Sequence, residues 1–311
     1  MKSVSESRRN ERFRWRAMAI GWVAGAGLLF ALWLNCHGAD LDDIQKRGVL
    51  IHLGIPYANF VTGGGDGLDV ELMQRFAQHL GVGYQYVSSN WADIIPDLVG
   101  KRFSFEGESV HIVAEAPVKG DVIANGMTIL PQRERVLSFG TPTFPTQVWL
   151  IARHDSSLAP ISPSGDTEHD IASVKSLLRG HEVMGIPDTC LEPELYRLEE
   201  TGARIRNFSG KLNELAPAVI QGEAELTLLD VPDSFVALEK WPGKLKVIGP
   251  ISPVQEMSCA FPKESIKLRE LFNLFFEQIK KDGSYLRLVR KYYPTASAHF
   301  PEFFSDFHEK P

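Results

Sequence analysis

The chain has 311 residues, 44% of them hydrophobic and 23% charged, with a net charge of −6. That length allows two domains with a substantial core, and the composition is that of a globular protein. The acidic balance, with no basic stripe interleaved with aromatics after the N-terminus, excludes nucleic acid as the partner.

The first forty residues are of a different material. Lys2, Arg8, Arg9, Arg12, Arg14 and Arg16 precede an apolar run over 17–34, and the chain turns polar at Asn35. A basic flank, an apolar stretch and a polar exit make the layout of a secretory signal or a single membrane anchor. The run is long for a signal core and just sufficient to span a bilayer. Gly38, with Cys36 two residues before it, is the best local cleavage candidate; Asn35 argues against lipidation of Cys36, and Glu11 against twin-arginine export. Residues 1–38 are therefore set apart from the fold as an export or anchoring segment. The rest is expected in the periplasm or on the outer face of the cytoplasmic membrane, with membrane contact through 17–34 if that segment is retained. In an oxidising compartment Cys190 and Cys259 either pair or stay as reduced, partly buried thiols, and spacing does not decide between these.

From Val49 onward short apolar runs alternate with amphipathic stretches, the signature of an α/β architecture. Residues 49–55 read as a buried strand. Val70, Met73, Phe76, Ala77 and Leu80 recur at helical spacing, with Gly81 placed to end the helix. Residues 84–87 form the next strand and 91–98 a short helix, with Pro96 near an end or a kink. Phe103, Phe105, Val110 and Ile112 alternate about Gly107, which predicts a β-hairpin. An apolar run at 122–124 leads into Gly126 and Thr128, and Pro131 opens a helix carrying Arg133. Residues 148–152 are extended, and 154–170, rich in Ser, Pro, Asp and His, read as a loop or linker. A second alternating series follows. It has a strand at 183–186, then a helix capped by Asp188-Thr189 with Leu191, Leu195 and Leu198 on one face. A strand around Ile205 and Phe208 and a helix over 215–220 come next. A strand over 226–229 closes on Asp230, and a helix over 231–238 has Pro232 in its first turn. Strands at 245–248 and 257–261, helices at 265–281 and 285–292 and an aromatic, polar tail complete the chain. There is no metal-ligand spacing of Cys, His or carboxylates, and no cofactor is expected.

The chemistry concentrates at 120–144. A strand ending in a small residue and a hydroxyl, followed five residues on by an arginine, can grip a carboxylate: Gly126 lets the backbone approach, Thr128 donates, and Arg133 supplies a two-pronged charged contact. The bland alternative is a surface strand–turn–helix with a solvated arginine.

Five segments in order bear on that choice: GLDVELMQRFAQHLGV (67–82), WADIIPDLVGK (91–101), GDVIANGMTILPQRERVLSF (120–139), GEAELTLLDVPDSF (222–235) and DGSYLRLVRKYYP (282–294). Together the stretch from about 45 to about 293 resembles the extracytoplasmic solute-binding proteins of polar amino-acid ABC importers, solute-binding family 3. The resemblance implies a two-lobed periplasmic binding protein fold of type II, each lobe a mixed β-sheet flanked by helices. It places lobe 1 at 40–146 plus 258–311 and lobe 2 at 147–257, with two extended crossings near 146–151 and 257–261 that let the lobes close on a ligand. It assigns Gly126, Thr128 and Arg133 to the ligand's α-carboxylate, and Trp91 and Tyr57 to rings on either side of the ligand. Thr189 falls at a second-lobe turn whose amides also face the carboxylate, and Asp230 falls where the α-ammonium is received.

Structural roles compete with several of these. Trp91 can be plain core, and Asp230 and Thr189 can simply cap helices. Three features depart from the family pattern. Gly54 stands where many members carry a second ammonium acceptor. Pro187-Asp188-Thr189-Cys190 replaces small residues, leaving Asp188 either as a substitute acceptor or as a source of repulsion. The hairpin at 103–119 is inserted.

The expectation is a monomeric, non-catalytic receptor that binds an amino acid or related small carboxylate and hands it to an ABC permease in the membrane. One alternative is a periplasmic enzyme on the same fold, resembling cyclohexadienyl or arogenate dehydratases. It needs a general acid or base in the cleft, where Asp188 and Glu192 are the nearby carboxylates. Cys190 lacks a histidine partner and reads as structural. A lytic transglycosylase would need a catalytic domain after Tyr293, where about twenty residues remain. The other alternative is a tethered envelope sensor domain.

Overall fold

The computed structural model describes residues 39–106 and 109–307. The segment 1–38 lies outside them. Among the described residues no helix is long and apolar enough to cross a membrane.

The first sheet gathers β1 (Val49–Gly54), β2 (Gly83–Ser88), β5 (Val122–Thr128), β6 (Leu137–Phe139), β7 (Phe144–Thr146) and β13 (Gln255–Pro262). Their order is β2-β1-β5-β13-β6, with β7 also paired to β13. β1 runs parallel to β2 and β5, whereas β13 is antiparallel to β5, β6 and β7. All seven residues of β5 are buried, as expected for a central strand covered on both faces. The helix Leu68–Leu80 lays Leu68, Leu72, Met73 and Phe76 on the core. It stops at Gly81, whose φ of 71° lets its N–H return to the last turn.

The second sheet holds β8 (Val148–Arg153), β9 (Glu182–Gly185), β10 (Arg204–Asn207), β11 (Leu226–Asp230) and β12 (Leu245–Pro250), in the order β10-β9-β11-β8-β12. The chain leaves the first sheet after Thr146 and returns at Gln255, which pairs with Thr146. Between the sheets the two crossings are tied together. Gln147 Nε2 donates to Ser252 O at 2.9 Å, and Val148 N donates to Ser252 Oγ at 2.9 Å. The inserted ribbon, β3 (Lys101–Glu106) with β4 (Ser109–Glu115), forms a separate two-stranded sheet. Phe103 and Val110 pack on the core, while Phe105, Ile112 and Val113 stay exposed.

Periodicity failed in three places. The helix expected over 191–198 does not form; two 3-10 turns, Pro193–Tyr196 and Glu199–Thr201, take its place. Pro193 withholds an N–H, and Arg197 sits in the left-handed region at φ 52°, so an α-helix cannot propagate. Leu191 and Leu198 are still buried, but Leu195 is exposed. The loop expected over 154–170 holds through Asp166; the helix Thr167–Ser176 then begins, its N-cap Asp166 accepting from Glu168 N and His169 N. Only Val174 on it is a fully buried apolar residue, too sparse a stripe to read from sequence. The aromatic tail coils into Ala296–His299 and Pro301–Phe304, and Phe300, Phe304 and Phe307 are buried.

Candidate functional site

The site is assembled from four loops that meet between the two sheets. The first follows β1. Its turn is closed by hydrogen bonds between Tyr57 and Val61, and Asn59 ties it to the far end of the chain, its N–H to Tyr293 Oη and its amide to Tyr292 O. Tyr57 is thereby held inward, 1% exposed, stacked on Phe60 at 5.9 Å. Phe60 in turn packs against Phe144 and Tyr293. The second loop carries Trp91 in the turn before the helix Ile94–Val99; its ring meets Tyr57 edge-on at 6.1 Å.

The third loop follows β5. Gly126 has φ +64°, its N–H donates to Asp69 Oδ2 at 2.7 Å, and a Cβ there would meet the Phe60 ring. Arg133 lies in the short helix Pro131–Glu134 and is 5% exposed. Its Nη1 donates to Thr128 O at 2.9 Å, and its Cζ sits 5.8 Å from the centre of the Trp91 ring. Among the described residues no carboxylate pairs with it. Arg135, two residues further on, is only half-buried. The Thr128 hydroxyl is buried and makes no hydrogen bond of ordinary geometry; it sits beside the Cys190 thiol.

The fourth loop belongs to the second sheet. Asp230 ends β11 and caps the helix Val231–Lys240, its Oδ1 accepting from Asp233 N at 3.1 Å. Its other oxygen faces across to the first lobe and accepts from the Tyr57 hydroxyl, with Cys190 Sγ 3.8 Å away. The cap and the cleft contact are therefore made by one carboxylate. Burial raises Asp230 to about 6, against the opposing pull of Tyr57, Asp233 N–H and Cys190. Burial, then the Asp230 charge, push Cys190 up to about 12 and Asp233 well above the carboxylate range. Burial also lowers Arg133, offset by its electron-rich neighbours Cys190, Tyr196 and Tyr57.

Tyr57, Trp91, Gly126, Thr128, Arg133 and Asp230 thus converge on one region. Two predicted residues do not contribute as expected. Asp188 adopts φ 61° with its side chain at the surface, so it does not replace the missing acceptor. Thr189 is buried, but its hydroxyl donates to Ile186 O at 2.8 Å and accepts from Leu191 N at 3.0 Å. It stabilises its own turn, and no α-helix N-terminus follows it. Gly54 admits no acid either, since a Cβ there would lie 2.8 Å from Tyr86 Cε2 and 3.2 Å from His52 Nε2. Three members were not singled out as site residues from sequence: Cys190, Tyr196, whose hydroxyl donates to Cys190 O at 2.5 Å, and Asp69, which anchors Gly126. Only Asp69 left a signal, an acid within an apolar helix face. Cys190 and Cys259 are both free and buried.

Comparison with known proteins bears on the family and the fold. The model of a family described as bacterial extracellular solute-binding proteins, family 3, matches residues 113–295. The chain is 25% identical to a membrane-bound lytic murein transglycosylase F of Desulfosudis oleivorans, over 78% of this chain and 48% of that protein, so it spans about half the length of that relative. It is 23% identical to the L-cystine-binding protein TcyJ of Escherichia coli K12, over 81% and 85% of the two chains. Among solved structures, a mutant of the arginine-binding protein ArgBP from T. maritima superposes with a TM-score of 0.64 at 25% identity, covering 82% of this chain and 99% of that one. The architecture is the two-lobed, type II periplasmic binding protein fold.

Proposed function

We propose, on the premise that the chain belongs to the bacterial extracellular solute-binding proteins, family 3, that it is a non-catalytic receptor for a small carboxylate held between two lobes. The lobes comprise 40–146 plus 258–311 and 147–257, and the bound solute passes to an ABC permease. The observation that carries this reading is Arg133: a guanidinium 5% exposed, held by Thr128 O against Trp91, with no carboxylate paired to it among the described residues. A buried cation without a counter-charge is costly, and a ligand carboxylate removes that cost as the lobes close. Contacts made only in the closed state supply both affinity and signal. TcyJ and ArgBP, named for L-cystine and arginine binding, agree with a small-molecule ligand of this class. A second reading is favoured by the transglycosylase relative: the same receptor unit can serve as the sensing part of a larger envelope protein.

The test is a thermal-shift screen of the full chain against amino acids and small carboxylates, beside Arg133→Ala. A ligand at 100 times its dissociation constant adds about 2.7 kcal/mol of stability. The expected result is a hit that Arg133→Ala abolishes; a hit of equal size in the variant sinks the reading.

A further inference from the structure

A second cavity, lined from both sides of the cleft, runs along the helix Val231–Lys240, and its charge is the reverse of that at Arg133. From its lining we infer that it is a binding site for a short primary amine in its ammonium form, held by Asp233. The inference goes beyond the receptor reading and does not depend on it.

Asp233, Val236, Ala237 and Lys240 recur at i, i+3, i+4 and i+7, so one face of the helix forms a wall. Ala58, Asn59 and Thr62 line the cavity from the loop after β1. Asn213 ties the two sides together: its Nδ2 donates to Pro56 O at 3.3 Å, and its Oδ1 accepts from Ala58 N at 3.4 Å. The space is about 200 Å³. That is room for about six or seven water-sized groups, and so for an amine of a few carbons.

Asp233 is the acid built into this wall. It is 5% exposed, its Oδ2 has no hydrogen-bond partner, and no cation stands beside it among the described residues. The titratable groups facing it are Asp230 at the helix cap, Tyr57 from the loop after β1 and Tyr293 from the C-terminal segment, none of them cationic. Burial, then the Asp230 charge, hold Asp233 well above the ordinary carboxylate range. That is the behaviour of a buried acid without a counter-charge, and a cation beside it reverses the shift. Lys240 also lines the cavity, but it is exposed, with its Nζ 4.8 Å from the centre of the Trp241 ring.

An ammonium brings what this wall lacks: one positive charge for the carboxylate, and N–H donors for amide oxygens. Asn59 spends its amide N–H on Tyr292 O, which leaves Oδ1 as its acceptor, and Asn213 Oδ1 keeps a second lone pair. Ala216, Val236 and Ala237 offer apolar surface to a short carbon chain. A divalent cation such as calcium fits less well, because it takes about six to eight oxygens with several carboxylates. Among the described residues no three His, Cys, Asp or Glu gather to hold a metal ion.

The experiment is isothermal titration of the full chain, at physiological ionic strength, with the hydrochlorides of methylamine, ethylamine and propylamine. Two controls accompany them: tetramethylammonium chloride, which has the charge but no N–H donor, and 1-propanol, which has the chain but no charge. Asp233→Asn, Lys240→Gln and Arg133→Ala are run in parallel, their folding checked by circular dichroism. The expected result is saturable binding of a primary amine and of neither control. It should weaken at least tenfold in Asp233→Asn, persist unchanged in Arg133→Ala, and be no weaker in Lys240→Gln, which removes a like charge. Equal binding of either control, no saturable amine binding, or affinity unmoved in a folded Asp233→Asn overturns the inference. So does weaker binding in Lys240→Gln. Loss of amine binding in Arg133→Ala would put the amine in the carboxylate cleft and overturn the separate site. The carboxylate screen is read through Arg133, so failure here leaves the receptor reading standing, and failure there leaves this site standing.

Discussion

Gly126 is where backbone conformation and the cleft meet, and its replacement separates two costs. Its φ is +64°, and a Cβ would fall 2.4 Å from Phe60 Cδ2 and 2.5 Å from Cε2. Gly81 has the same handedness, φ +71°, with nothing within 4 Å of a Cβ. Gly81→Ala therefore measures the left-handed backbone alone, about 1–2 kcal/mol. Gly126→Ala adds overpacking of about 1–3 kcal/mol, because Phe60 is wedged among Tyr57, Phe144 and Tyr293 with ring centres 5.1–5.9 Å away. Urea unfolding of both variants at pH 7 should show Gly126→Ala less stable than wild type by about 2–5 kcal/mol, at an unchanged m-value. It should fall below Gly81→Ala by about 1–3 kcal/mol. Equal losses in the two variants would mean that the Phe60 ring yields freely. The aromatic stack would then not be the rigid support of Tyr57 that the site requires.

Three further outcomes follow from buried titratable groups. Burial pushes His52 down to about 4 from 6.5, with Nε2–H donating to Ala124 O and Nδ1 accepting from Tyr84. A depressed folded value means that stability is lost as pH falls from 6.5 through 4, by up to about 3 kcal/mol; His52→Gln should flatten that arm of the urea-stability profile. Asp69 has the opposite sign. Burial raises it from 3.8 to about 7, so its contribution is present below 3.8 and lost as pH rises through 7, by up to about 4 kcal/mol. Asp69→Asn should thus gain on wild type between pH 4.5 and 8, and a constant difference across that range would refute the assignment. The Cys190 thiol, buried and pushed up to about 12, should resist alkylation in the native state at pH 8 and react on unfolding, as read by peptide mass spectrometry.

Local pattern was enough for much of this molecule. Val70, Met73, Phe76 and Ala77 repeat at helical spacing because they cover one sheet face, and Gly81 ends their helix because only a left-handed residue can turn there. The order of five short segments was enough for the fold, since each marks a strand end or helix start that the two-lobed architecture repeats. For the proposed site, local sequence already groups Gly126, Thr128 and Arg133, because one loop carries all three. The failures have a common cause. Whether 191–198 forms a helix is decided by Pro193 and a left-handed Arg197 against a regular leucine spacing. Whether Asp188 faces the cleft depends on one backbone angle. The pairing of Tyr57 with Asp230, 173 residues apart, depends on how two lobes meet. Sequence fixes which groups can donate and accept within a loop. Which donor satisfies which acceptor across the cleft, and so what is left for a ligand, is set only when the two sheets come together.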